Sequence, residues 1–275
     1  MSVISFLSSI SEYLFKINTT TGKTRIEMIL HDTKVLLHKY PGFRIYCTGH
    51  SLGGALCTLF GFYAAADDEI AAFGPVTIYS VASPYVGNMK FRLAFQELER
   101  KKRLRHLRIV NAEDMVTLLP FAVPKIGSLS PIVGFSKGAG NLYKHVGMRL
   151  ALSDVKGDFL PPTYDLSFPK DHSSNDEDYA KEVRDTLDAG KSLMNAFYCL
   201  IKNDFDTVKK HHSCEEYEAR LETACKDTLS KVTLEDLYAD KKLVGETLNQ
   251  NHKPASMTSV TERAARILRV SRALA

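Results

Sequence analysis

Apolar residues recur along the first part of the chain at helical spacing and then at the spacing of strands. Steps of three and four residues predict amphipathic helices over residues 3–17 and 23–39. The β-prone run FRIYCT, residues 43–48, leads directly into GHSLGG, and an alanine- and leucine-rich helix is predicted over 55–66. The chain therefore opens with two helices, a strand, a tight turn and a third helix.

Strands and helices continue to alternate after residue 75. The pattern predicts a strand over 76–81, a helix over 88–102 and a strand over 104–110. Proline and glycine interrupt residues 115–147, which predicts a long apolar loop region, and from about residue 178 the spacing is helical. Because alternating strands and helices need crossover connections, the predicted fold class is α/β, with a mainly parallel sheet flanked by helices and a helical C-terminal extension.

Composition places the chain among ordinary globular proteins. It has 275 residues, of which 44% are apolar and 25% are charged, so it can bury a sizeable core. Disordered and collagen-like classes are thereby excluded. Charges interrupt every apolar run before it reaches the roughly 18 residues that a membrane-spanning helix needs, and a soluble chain is expected.

Cysteine usage and the first residues bear on the compartment. The five cysteines are an odd number at no regular spacing, which favours free thiols in a reducing compartment over a disulfide framework. The start, MSVISFLSSI, has neither a basic region nor a small-residue cleavage pattern. The predicted localisation is cytoplasmic.

A net charge of +4 is concentrated in one basic run. Such a run attracts anionic surfaces, so peripheral contact with a membrane or lipid-droplet surface is one hypothesis. The favoured interpretation is a solvated helix end that leads into a strand, and no nucleic-acid partner is predicted. The run consists of Arg100, Lys101, Lys102, Arg103, Arg105 and Arg108.

A candidate nucleophile lies in the tight turn. Residues 49–53 read Gly-His-Ser-Leu-Gly and satisfy G-x-S-x-G, in which a serine occupies a strained bend between a strand and a helix. Glycine is expected at 49 and 53 because a Cβ there would meet neighbouring backbone, and Gly54 is expected to let the helix pack closely. Ser51 is the predicted nucleophile.

A serine hydroxyl needs a histidine to accept its proton and a carboxylate to orient that histidine. In this kind of fold the acid follows a later strand. Asp114 fits, since it comes after the strand predicted over 104–110 and should reach the same sheet edge as Ser51. Glu113 is the neighbouring alternative and is expected to point elsewhere.

Two histidines after Asp114 are candidates for the base. His145 lies in YKHVG after the long loop, and His172 lies in PKDHSSNDEDY. A loop histidine after the last core strand is what the fold requires, which favours His172. A solvated role is the default for the other three, His211, His212 and His252.

Several blocks together resemble the class 3 lipases, whose better-known members are fungal triacylglycerol lipases and feruloyl esterases. YPGFRIYCTGHSLGGALCTLF resembles the family's nucleophile block, SVASPYVGNMKF its "GSPrvGN" block and RIVNAEDMVTLLP its acid block. YKHVG resembles a structural segment and DHSSNDEDY the terminal "H-x-x-x-x-Y". The resemblance implies an α/β-hydrolase fold with Ser51 as nucleophile, Asp114 as acid, His172 as base and His145 as a structural histidine.

The chain departs from this family pattern at its start. Only 50 residues precede Ser51, and they contain no "F-R-G-T"-like strand, which in the family supplies the second oxyanion donor before a lid helix. The predicted hydrolase domain, residues 1–173, therefore lacks this strand and lid, and 174–275 form the helical extension. The backbone N–H of Leu52 is the predicted oxyanion donor. A missing strand would leave a sheet edge open.

The function implied is hydrolysis of carboxylic esters of lipids, in the manner of a triacylglycerol lipase, through an acyl-enzyme on Ser51. The expected partner is a lipid or ester substrate, and neither a cofactor nor a metal is predicted. The alternative is a weakly active or inactive hydrolase-like chain that acts as a lipid- or protein-binding module, which the missing oxyanion strand favours.

Overall fold

A computed structural model describes five stretches of the chain, residues 14–118, 143–152, 164–167, 205–224 and 233–239. The strands are β1 Tyr46–His50, β2 Val76–Val81, β3 Gly87–Asn88, β4 Leu104–Asn111, β5 Tyr143–Lys144, β6 Met148–Leu152 and β7 Tyr164–Ser167. The helices are α1 Arg25–Lys39, α2 Leu52–Ala66, α3 Asp68–Ala72, α4 Met89–Arg100, α5 Phe205–His212, α6 Cys214–Ala224 and α7 Leu234–Ala239. A 3₁₀ turn covers Met115–Leu118.

The main sheet has the strand order β1-β2-β4-β6-β7. Its first four strands are parallel, with Cys47 paired with Ile78 between β1 and β2 and Ile109 paired with Leu150 between β4 and β6. Strand β7 runs antiparallel to β6, and β3 pairs separately with β5. The predicted α/β fold with a mainly parallel sheet flanked by helices is thereby confirmed.

Both faces of the sheet are buried at β2 and β4, where successive side chains point to opposite sides. In β2, Ile78 packs on the side of α2 and α4, whereas Tyr79 packs on the side of α6 and α7. This two-sided burial is why β2 and β4 are almost continuously buried along their lengths. The thiols of Cys47 and Cys57 lie in the first of these two cores.

Local signals set the helix boundaries close to the predicted ones. The side-chain oxygen of Thr24 accepts from Glu27 N, and the carboxylate of Glu27 accepts from Thr24 N, a capping box that starts α1. Asn88 caps α4 in a similar way. The strand predicted over 43–48 is displaced to Tyr46–His50. Most of the helix predicted over 3–17, together with residues 119–142 of the predicted loop, lies outside the described residues.

The described helices beyond residue 173 are part of the same core as the sheet. Tyr217 and Leu221 of α6, with Leu234 and Leu237 of α7, pack against the buried side chains of β2, β4 and β6. Tyr238 OH also accepts a hydrogen bond from His106 N of β4 at 2.9 Å. These helices of the predicted extension therefore contribute buried side chains to the core of the sheet. The rest of the predicted extension lies outside the described residues.

The basic run is largely paired with carboxylates. Arg100 and Lys101 both contact Glu97, and the two ion pairs of the later arginines are Arg103 with Asp68 and Arg105 with Glu235. Arg108 differs from the prediction of a solvated run, since it is only 8% exposed. Burial, with a smaller contribution from the nearby Arg149, lowers the pKa of Arg108 to about 9.

None of the described helices combines the length and the apolar character that crossing a membrane requires.

Candidate active site

Ser51 lies at the bend between β1 and α2. Its backbone has φ 55° and ψ −124°, a left-handed conformation that is costly for a residue with a Cβ. Ser51 N donates to Val81 O at 2.9 Å, which ties the bend to the end of β2. Gly54 N and Ala55 N donate to Ser51 O and start the helix. The strained bend is thus held by neighbours on both sides.

The glycines of the bend do not share one role. A Cβ on Gly49 would lie 2.2 Å from Gly53 O, and a Cβ on Gly54 would lie 2.8 Å from the Cβ of Ser83. A Cβ on Gly53 meets nothing within 4 Å. The prediction that glycine is needed at 53 to avoid a clash is therefore wrong, because it is the backbone of Gly53 that approaches Gly49.

Asp114 lies just beyond β4, at the sheet edge where Ser51 emerges. The residue is 2% exposed, and its carboxylate accepts hydrogen bonds from Val116 N at 3.0 Å and from Tyr217 OH at 2.7 Å. The neighbouring Glu113 bonds instead to Arg220. Of the two acids, only Asp114 contacts the histidine that faces Ser51.

That histidine is His212, at the junction between α5 and α6. His212 Nε2 lies 2.8 Å from Ser51 Oγ, and His212 Nδ1 lies 2.9 Å from Asp114 Oδ2. Because a carboxylate only accepts, Nδ1 carries the proton and Nε2 is free to accept from the serine hydroxyl. Ser51, His212 and Asp114 therefore form a hydrogen-bonded chain in the order that nucleophilic catalysis requires.

The predicted base, His172, lies outside the described residues. Among the described residues, His212 is the histidine that contacts both Ser51 and Asp114. The default of a solvated His212 is wrong, since only 21% of its side chain is exposed. The cause is packing, because α5 and α6 lie against the carboxyl edge of the sheet and turn their junction toward Ser51.

A signal for His212 was present in the sequence. His212 and Tyr217 are spaced as the "H-x-x-x-x-Y" block requires, with four residues between them, whereas six residues separate His172 from Tyr179. The charged character of KKHH and CEEYE concealed the match, since it suggested a solvated helix.

Two further side chains hold the histidine-bearing junction. His50 Nε2 donates to the carbonyl of His212 at 2.8 Å, and the two rings lie 4.8 Å apart. Burial lowers the pKa of His50, and the nearby His212 adds to this effect. Asn111 Nδ2 at the end of β4 donates to the carbonyl of His211 at 2.9 Å. The junction is therefore fixed through its backbone as well as through its imidazole.

Tyr217 links α6 to the acid. Its hydroxyl donates to Asp114 and accepts from Asn111 N at 2.9 Å, and the residue is fully buried. Burial raises the pKa of Tyr217 well above its ordinary value, and the charge of Asp114 raises it further. The hydroxyl thus stays protonated and serves as a fixed donor.

The predicted oxyanion donor and the second histidine candidate also fall among the described residues. Leu52 is the first residue of α2, where backbone N–H groups have no partner within the helix and the helix dipole is positive.

His145 Nε2 donates to Thr117 O at 3.0 Å, and its ring stacks on Tyr85 at 3.6 Å. These contacts secure the 3₁₀ turn rather than Ser51. Within the described stretches, no group of His, Cys, Asp and Glu is arranged to hold a metal ion.

The sequence of this chain is similar to those of known proteins. Residues 6–123 match the family model described as Lipase (class 3). The Arabidopsis thaliana protein named Phospholipase A1-Igamma1, chloroplastic, is 32% identical over 156 residues, which cover 51% of this chain and 28% of that protein. Phospholipase A1-Igamma2, chloroplastic, from the same organism is 29% identical over 198 residues, covering 67% of this chain and 36% of that protein. This chain therefore spans about a third of the length of these curated relatives.

A solved structure is also similar. The crystal structure of lipase from Rhizopus microsporus var. chinensis is 22% identical, with a TM-score of 0.38, and the match covers 61% of this chain and 46% of that one.

Proposed function

We propose that this chain, whose residues 6–123 match the class 3 lipase family model, hydrolyses carboxylic esters of lipids with Ser51, His212 and Asp114 as its catalytic triad. The observation that carries the proposal is the continuous contact from Ser51 Oγ to His212 Nε2 at 2.8 Å and from His212 Nδ1 to Asp114 Oδ2 at 2.9 Å.

In the first step, Ser51 Oγ attacks the ester carbonyl while His212 Nε2 accepts the hydroxyl proton. Asp114 holds His212 in the tautomer with Nδ1 protonated and stabilises the imidazolium that forms. The buried hydroxyl of Tyr217 and Val116 N, both donors to Asp114, hold that carboxylate in a fixed orientation.

The negative charge of the tetrahedral intermediate develops close to the start of α2. The N–H of Leu52 is the donor proposed for this oxyanion, assisted by the positive end of the α2 dipole. When the intermediate collapses, His212 gives its proton to the leaving alcohol and the acyl group stays on Ser51 Oγ. A water molecule, deprotonated by His212, then releases the fatty acid and restores the serine.

We propose that the substrates are acyl esters of glycerolipids. Phospholipid and triacylglycerol are the first two classes whose turnover should be compared. The names of the two Arabidopsis thaliana relatives support phospholipid, and the sequence blocks that resemble those of fungal triacylglycerol lipases support triacylglycerol. Localisation remains the cytoplasmic prediction made from cysteine usage, although both relatives are named as chloroplastic.

The proposed activity is tested by labelling with a fluorophosphonate and by turnover of a p-nitrophenyl ester. Wild type is expected to label and turn over, and Ser51→Ala is expected to do neither. Phosphatidylcholine vesicles and a triacylglycerol emulsion, assayed for released fatty acid, then compare the two head-group classes.

The outcomes separate the proposed enzyme from a binding module. Folded wild type that neither labels nor turns over, yet binds the vesicles, supports the hydrolase-like binding module instead. Equal turnover by Ser51→Ala excludes this serine as the nucleophile.

A further inference from the structure

Arg220 of α6 is a buried cation that the proposed chemistry does not use. It is 6% exposed, and its guanidinium group donates from all three nitrogens. Nη1 bonds to Glu113 Oε2 at 2.5 Å, Nε bonds to Glu216 Oε1 at 2.9 Å, and Nη2 lies 3.0 Å from His211 Nδ1. One planar group therefore joins the loop after β4, the end of α5 and the body of α6.

Two of these partners directly precede a member of the candidate triad in the sequence. Glu113 directly precedes Asp114, and His211 directly precedes His212. Glu216 lies on α6, next to Tyr217. Arg220 therefore connects the backbone that carries the acid with the backbone that carries the histidine, without contacting either reacting side chain.

The charges are arranged to keep this connection intact. Burial by itself disfavours a charged guanidinium, but the bonds to Glu113 and Glu216 more than offset it and raise the pKa of Arg220 above its ordinary value. The planar fork fixes direction as well as distance, which a lysine ammonium does not do.

We propose that Arg220, with Glu113 as its partner across the junction, is a positioning residue that sets His212 in register with Asp114 and Ser51. The inference rests on the proposed function. It also assigns a role to Glu113, the neighbouring alternative to Asp114 in the sequence. An error of about 1 Å in such an alignment costs on the order of a hundredfold in rate. The loss is expected in kcat and not in KM, because the proposed role of both side chains is to align the triad and not to bind substrate.

The test measures kcat and KM of Arg220→Gln, Glu113→Gln and the double variant. Arg220→Gln is expected to lower kcat about 10- to 100-fold, and the double variant is expected to lose no more than Arg220→Gln alone, because the two residues act as a unit. Arg220→Lys is expected to recover only part of the loss. Should Arg220→Gln fail to fold, Glu113→Gln carries the test, since 31% of the Glu113 side chain is exposed.

The matched control is the ion pair between Arg105 and Glu235, which joins α7 to β4 at 3.0 Å and has no contact with the triad. Arg105→Gln is expected to keep kcat within about twofold of the wild-type value. This holds even if its Tm falls by as much as the Tm of Arg220→Gln. A second readout is the low-field proton resonance of His212 Nδ1–H against Asp114. This resonance is expected in wild type and in Arg105→Gln, and is expected to be lost or broadened in Arg220→Gln.

Different results would contradict the proposed function and the positioning role of Arg220. If wild type turns over ester but Arg220→Gln matches Arg105→Gln in kcat and keeps the resonance, the positioning role is wrong and the proposed function stands. If wild type has no turnover, the proposed function is wrong, and the resonance alone decides whether Arg220 aligns His212 with Asp114.

Discussion

The bend around Ser51 and the helix pair α5–α6 meet where His212 bonds to Ser51 and His50, and the two regions are held in place by different means. The bend is local, because its shape depends on neighbours such as Gly49 and Gly53, and a Cβ on the first would lie 2.2 Å from the second. The helix pair is held by long-range contacts, since His212 is 161 residues from Ser51 and 98 residues from Asp114.

This difference shows which parts of the sequence specify the nucleophile and which specify the base. A nucleophile on a strained bend needs a fixed local backbone, so a short motif marks it. A base on a helix junction needs only that the helices pack correctly, and here that packing depends on buried side chains such as Tyr217 and Leu221. The comparison leads to three predictions.

The largest effect is expected at the base. His212→Asn should lower kcat by about 10⁴-fold or more, because removing the imidazole of a triad leaves only the oxyanion site and substrate binding. The measurement is turnover of a p-nitrophenyl ester at saturating substrate. His172→Asn is the control and should keep the wild-type kcat. Loss of turnover in His172→Asn together with an active His212→Asn would reverse the assignment.

A smaller effect is expected within the bend. Gly49→Ala should lower the rate of fluorophosphonate labelling about a hundredfold, because the added Cβ displaces the backbone that carries Ser51. Gly53→Ala is the matched variant and should label at the wild-type rate, with a free energy of unfolding in urea within about 1 kcal/mol of wild type. Equal losses in the two variants would show that the bend requires glycine at 53 for a reason other than a clash.

The smallest effect is expected where the two regions touch, at His50. Its pKa in the folded chain is lowered, so below about pH 6.5 the unfolded chain binds more protons at this site, and folding stability falls as the pH falls. Because a single site takes up at most one proton on unfolding, its share of the slope should be less than about 1.4 kcal/mol per pH unit.

The variant His50→Gln tests this directly. The glutamine amide can still donate to the carbonyl of His212 but cannot take up a proton, so urea unfolding between pH 5 and 7 should show a flatter dependence on pH than in wild type. An unchanged slope would mean that other histidines account for all of the acid sensitivity.

Much of the fold follows from patterns that lie close together in the sequence. The parallel strands β1, β2 and β4, the caps of α1 and α4, and the bend at Ser51 are each specified within a few residues, and the alternation of strands and helices predicts their order. Asp114 was placed by the same reasoning, since an acid just beyond a strand reaches the sheet edge where Ser51 emerges.

The remainder depends on contacts that no local pattern contains. Strand β6, with the sequence MRLAL, was not predicted, because it is a short apolar run beside a segment rich in proline and glycine. The charged residues around His212 predict a solvated helix. Charged residues nevertheless hold the junction in place, because Arg220 bonds to Glu216 and Glu113. In this helix pair, polar residues mark a buried contact as well as a solvated face.

The distance in sequence between Asp114 and His212 has a consequence during translation. Ribosomes add about 5–20 residues per second, so the 98 residues that separate the acid from the histidine take about 5–20 s to synthesise. Throughout that interval the nascent chain already contains Ser51 and Asp114 but has not yet acquired the imidazole that joins them. The proposed hydrolase therefore gains its reactivity only after α5 and α6 have been synthesised and dock on a sheet whose first strands are already made.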